Sequence, residues 1–109
     1  MNSSLFLAQR ITAFILAFAV TIHLATILYA AQQGLTAGHI LQRTHGNVAF
    51  LTLYVLFVIA ASIHAPIGLR AILREWLGWW GRRVDVSLFA FSAVLLALGL
   101  RAAYAVFVA

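Results

Sequence analysis

Three apolar runs, at about 11–31, 47–69 and 86–108, leave this chain few folds to choose from. Crossing the hydrocarbon core of a bilayer takes roughly 20 residues of helix, and each run is long enough. A backbone in lipid finds no water to bond, so it must satisfy its own N–H and C=O groups as a helix. Composition agrees, because 65% hydrophobic and 8% charged residues leave too little polar surface for a water-soluble domain. The 109 residues therefore read as an all-α membrane protein, a single transmembrane domain over residues 1–109 with three transmembrane helices.

The charge of +5 sets topology rather than a partner. All the basic residues are arginines, and they cluster at the ends of the apolar runs, which argues against nucleic acid. The N-terminus and the second connection share one side of the membrane and carry Arg10, Arg70, Arg74, Arg82 and Arg83. The other side has Arg43, with Arg101 late in the third run. The positive-inside rule then predicts a cytoplasmic N-terminus and an outer C-terminus, in the cytoplasmic (inner) membrane. Trp76, Trp79 and Trp80 fit an interfacial belt on the arginine-rich side. The first run is long and lacks a signal-peptide cleavage pattern, so it reads as a retained span.

Several chemistries are excluded from this chain. With no cysteine it holds no iron–sulfur cluster, disulfide or covalently attached haem. It has no Gly-rich phosphate-binding motif. Glu75 and Asp85 are its only acids, too few for paired-carboxylate catalysis in the membrane.

His23 and His64 lie inside the apolar runs, and an imidazole in lipid is costly unless something occupies it. Two occupants are open: a polar group on a neighbouring helix, or haem iron. A proton relay would need intramembrane carboxylates, which are absent. Thr12, Leu16, Ala19, His23 and Thr26 share one helical face, and Ala60, Ala61 and Gly68 flank His64 at similar spacing. Small residues there admit a close helix or a flat ring. Counting helix rise, His23 lies about 20 Å from the arginine-rich edge and His64 about 9 Å from it. Two axial ligands of one haem stand at similar height, so the two histidines should not share a haem within one copy. Pro66 cannot donate to the carbonyl one turn earlier, which predicts a local bend. His39 and His45 read as solvated histidines of the first connection.

Gln9-Arg10-Ile11-Thr12-Ala13 and His64-x-x-x-Gly68-x-Arg70 resemble the first-helix and haem-ligand motifs of succinate dehydrogenase cytochrome b subunits. Together with His23 and Gly99-Leu100-Arg101-Ala102, they also resemble the last three helices of the two-haem anchors of succinate:menaquinone and fumarate reductases. Phe6 stands where one-haem anchors usually carry a quinone-contacting serine, and Ala71 where they often have a histidine. The resemblance implies that His23 and His64 are axial ligands of b-type haem. It places Gly68, Arg10, Thr12, Arg70 and Arg101 around the cofactors. Arg10 would meet a quinone or menaquinone or a haem propionate, and Thr12 would serve the quinone. Arg70 and Arg101 would meet haem propionates, although Arg10 and Arg101 also read as side chains that snorkel to the headgroups.

The implied partners are a second copy or a similar short anchor, giving His23–His23′ and His64–His64′ pairs and two haems per anchor dimer. Cytoplasmic flavoprotein and iron–sulfur subunits would carry out the dicarboxylate chemistry, which this chain does not perform alone. The implied function is a membrane-anchor b-type cytochrome, passing electrons between iron–sulfur clusters and quinone. Two other readings fit the residues: a haem anchor for a different cytoplasmic dehydrogenase, and a non-redox structural or assembly protein.

Overall fold

The computed structural model describes residues 3–109. Its helices are α1 (Ser3–Gln33), α2 (Ala37–Thr44), α3 (Val48–Leu77) and α4 (Arg82–Val108). Three of them, α1, α3 and α4, are each long and apolar enough to cross a membrane. The three apolar runs fall within them, apart from Asn47, whose side chain caps α3 by accepting from Phe50 N–H at 3.1 Å.

The helices are longer than the apolar runs. α1 has 31 residues, about 46 Å of helix, and the molecule is 47 Å long. Nothing between Ser3 and Arg10 or between Arg70 and Leu77 stops a helix, so it continues past the hydrocarbon. α3 ends where Gly78 takes φ +66°, a left-handed conformation that favours glycine. The N–H groups of Gly78 and Trp79 both turn back to the Leu73 carbonyl.

The first connection contains a helix where the sequence suggested only a loop. Thr36 accepts from His39 N–H at 3.2 Å and so caps α2. His39 therefore belongs to α2, with its Nδ1 2.7 Å from the Thr36 hydroxyl. Gly46 N–H donates to Phe107 O at 2.8 Å and ties this connection to the end of α4.

α3 is the centre of the fold. It packs on both α1 and α4, whose backbones do not come close to each other among the described residues. The seams are built of small side chains: Thr12, Ala19 and Ala30 of α1, Ala60 and Ser62 of α3, and Ala103 of α4 are all buried. Small residues let membrane helices approach closely, where burial against equally apolar lipid would give little preference. A Cβ on Gly99 would lie 2.5 Å from Val58 Cγ1, so that glycine sets the α3–α4 distance. Bulky side chains face outward, with Phe14, Phe18 and Phe89 at 69%, 63% and 78% exposure, a surface suited to lipid or other membrane helices. The hydroxyls of Thr21, Thr26 and Thr52 donate to carbonyls four residues back, which hides them from lipid.

Pro66 sits inside α3 and is buried. Having no N–H, it leaves the Ser62 carbonyl without its intrahelical donor. Ser92 of α4 takes that place, its hydroxyl donating to Ser62 O at 2.6 Å.

Candidate functional site

The two motifs that are far apart in sequence meet across the α1–α3 seam. Thr12 Oγ1 and His64 Nδ1 are 3.2 Å apart across a separation of 52 residues. The Thr12 hydroxyl also lies 2.7 Å from Ala8 O and 3.1 Å from Gln9 O, in its own preceding turn. Thr12 is 5% exposed, so water does not compete for these bonds. One turn further along α3, Gly68 faces Gln9, whose Nε2 lies 3.2 Å from where a Cβ would stand. The end of the Gln9 side chain thus lies in the space that the missing Gly68 side chain leaves.

The face predicted for α1 is the one that packs. Thr12 and Ala19 are buried, and Leu16, His23 and Thr26 are half-buried. His23 lies further along this face. Its ring meets Tyr54 and Phe57 edge-on, with centroids 5.9 and 6.0 Å away. Thr12 and His23 are eleven residues apart on α1, about 16 Å of rise, so the two histidines stand at different levels. That agrees with the depth argument from sequence.

The nitrogens of the two rings have different surroundings. His64 Nδ1 has Thr12, and His64 Nε2 has no hydrogen bond among the described residues and is not sealed inside the protein. His23 Nδ1 is buried with no hydrogen-bond partner, as is Gln9 Oε1. An imidazole that ligates a metal through one nitrogen usually donates its other N–H to an acceptor. His64 has that acceptor; His23 Nδ1 lacks one among the described residues. No group of three or more His, Cys, Asp or Glu side chains gathers among those residues, so a metal held by side chains alone has no site there. Haem iron makes a smaller demand, because its macrocycle fills the equatorial positions and one imidazole per side suffices. His64 fits that requirement.

The arginines divide. Arg70 is already engaged, its Nε donating to Asp85 Oδ1 at 2.9 Å. Arg10 is exposed and lies over the Phe6 ring, 5.7 Å from its centroid. Phe6, standing where a serine would resemble the family more closely, thus holds the guanidinium instead. Arg101 is exposed on α4, away from both histidines' seam.

Three participants were not foreseen. Asp85 stands out in the sequence only as one of the two acids, with nothing to name Arg70 as its partner. Ser92 was not singled out, although a proline inside a membrane helix signals that some donor must reach the freed carbonyl. Gln9 appeared only as a motif letter. A cleft of about 440 Å³, walled mainly by α3 and α4 with Leu5 of α1 beside them, is lined by Pro66, Ile67, Leu88, Phe89 and the Arg70–Asp85 pair. Neither histidine lines it.

Compared with known families, residues 1–105 match the succinate dehydrogenase/fumarate reductase transmembrane subunit. The chain belongs to this family. The match takes in both seam motifs, α1, α3 and all but the last turn of α4, and agrees with an integral membrane protein that serves as the membrane-anchor subunit of such an enzyme. No curated protein and no solved structure matches the chain.

Proposed function

We propose that this membrane-anchor subunit is a b-type cytochrome that passes electrons between the iron–sulfur clusters of a cytoplasmic partner and a membrane quinone. The observation that carries this reading is the state of His64, whose Nδ1 is occupied by Thr12 while Nε2 has no bonding partner among the described residues. Haem b, when bound, supplies one-electron transfer between its ferric and ferrous forms. The chain's own residues bind and tune it. His64 would hold it through Nε2 near the arginine-rich edge, and His23, about 16 Å of helix rise beyond the Thr12–His64 contact, would hold a second. Because the two stand at different levels, each would be completed by an imidazole from another anchor, either a second copy or a similar short chain. The terminal nitrogens of Arg70, beyond its bond to Asp85, can meet a propionate near His64. Gly68, one turn from His64, leaves open space on the same side of α3, which the end of Gln9 reaches. Arg10, exposed on α1 at the cytoplasmic edge, serves the quinone. Flavoprotein and iron–sulfur subunits dock from the cytoplasm, where Arg74, Arg82 and Arg83 present positive charge, and they carry out the dicarboxylate chemistry. The anchor lies in the cytoplasmic (inner) membrane.

The Thr12–His64 bond itself favours a second reading, in which His64 only ties α1 to α3. Purifying the complex from membranes and substituting His64→Ala separates the two. The cytochrome reading expects a reduced-minus-oxidised b-type spectrum that is lost, or reduced by one haem per anchor pair, with assembly retained. An unchanged spectrum leaves only the structural tie. A wild-type complex with no b-type haem sinks the cytochrome reading outright.

A further inference from the structure

A neutral imidazole carries one proton and one lone pair, and which nitrogen holds the proton decides which one can bind a metal. At His64 the surroundings decide it. The Thr12 hydroxyl has a single proton to give. Ala8 O, at 2.7 Å, and Gln9 O, at 3.1 Å, are carbonyls that can only accept. The hydroxyl proton therefore points into its own helix, the usual back-bond of a helical threonine. The remaining contact, 3.2 Å from Thr12 Oγ1 to His64 Nδ1, then requires Nδ1 to be the donor. No other hydrogen bond to the ring occurs among the described residues, and Thr12 is almost fully buried.

We propose that Thr12 is a positioning residue for His64, holding the imidazole proton on Nδ1 so that the Nε2 lone pair is free for a metal. The metal, haem iron, rests on the function proposed above, whereas the position of the proton does not. An acceptor on Nδ1–H also makes the opposite nitrogen a stronger donor, which stabilises ferric over ferrous iron and lowers the reduction potential. The ordered relay Nδ1–H to Thr12 to Ala8 O is thus both a clamp on the ring's orientation and a setting of its electron donation. It gives a reason for a hydroxyl at position 12 that involves no contact with quinone.

The experiment uses the assembled complex in membranes carrying wild-type anchor, Thr12→Val or Thr12→Ser. Val keeps the branched shape and removes the acceptor, while Ser keeps the acceptor and removes the methyl group. The midpoint potential of the haem at His64 should move upward with Val and return to near the wild-type value with Ser. Loss of that haem with Val and its retention with Ser supports the proposal equally. An unchanged potential with Val, or the same change with Ser as with Val, overturns it. If the wild-type complex holds no haem, the function proposed above fails, and the ¹⁵N spectrum of labelled histidine, with a His64→Gln control, decides the positioning claim alone. Protonated Nδ1 in the wild type that is lost in Thr12→Val supports it; protonated Nε2 in the wild type refutes it.

Discussion

Removing the Ser92 hydroxyl tests whether Pro66 has made α4 responsible for a backbone bond that α3 cannot make for itself. In the native chain Ser62 O accepts from Ser92 Oγ at 2.6 Å, and Ser62 is 3% exposed. Ser92→Ala leaves this carbonyl in an apolar seam with neither an intrahelical N–H nor water. An unsatisfied buried polar group costs about 1–3 kcal/mol. Interhelical hydrogen bonds in membranes measure lower, about 0.6 kcal/mol on average and about 1.7 at most, because the separated helices find other partners. Here the alternative partner is restricted, since Pro66 denies the carbonyl its intrahelical donor even when α3 stands alone in the bilayer. The loss should therefore lie at the upper end, about 1–1.5 kcal/mol, roughly a five- to tenfold drop in the folded-to-unfolded ratio.

Pro66→Ala supplies the control. It restores an N–H for Ser62 O, so Ser92→Ala in that background should cost less than about 0.5 kcal/mol. The four proteins of this double-mutant cycle can be compared by reversible unfolding in mixed detergent, followed by tryptophan fluorescence. A coupling energy near 1 kcal/mol is expected. A Ser92→Ala cost that is the same with proline and with alanine at 66 would refute the reasoning, whatever its size.

Two glycines in close contacts should behave differently. Gly99→Ala drives a Cβ to within 2.5 Å of Val58, a stiff β-branched side chain at the seam, and should destabilise by about 1–3 kcal/mol, with Val58→Ala in the same chain recovering most of it. Gly68→Ala meets only the far end of Gln9 at 3.2 Å, which can swing aside, so its cost should stay below about 1 kcal/mol by the same unfolding assay. Asp85→Asn breaks the Arg70 ion pair, but the two side chains are 38% and 50% exposed, so the loss should be at most about 1 kcal/mol and shrink in high salt. Unfolding compared at low and high ionic strength checks this, and a large salt-independent loss would contradict it.

Much of the architecture was legible because lipid imposes a simple rule. Three long apolar runs, with Arg101 the one charge among them, had to become three spanning helices, since no other backbone arrangement satisfies itself there. The α1 face bearing Thr12, Leu16, Ala19, His23 and Thr26 could be read from three- and four-residue steps, and it is the face that packs. The different levels of His23 and His64 followed from helix rise alone. Arg70 and Asp85 show where such reading stops. They meet because the second connection folds the start of α4 back beside α3, and no periodicity in either helix encodes that return. α2 was hidden for a different reason: a single turn-forming cap at Thr36 starts a short helix in a segment with no apolar run to announce it.

The sequence by itself determined the number of spans, the packing face of α1 and the separation of the two intramembrane histidines, because each follows from hydrophobicity and helix geometry counted along one chain. Tertiary structure alone decided that α3 stands between α1 and α4, that Ser92 completes the bond Pro66 leaves open, and that Thr12 is the partner of His64. Those outcomes depend on which groups from different helices come within about 3 Å of each other, and that distance is set by small residues at the seams, not by any local pattern.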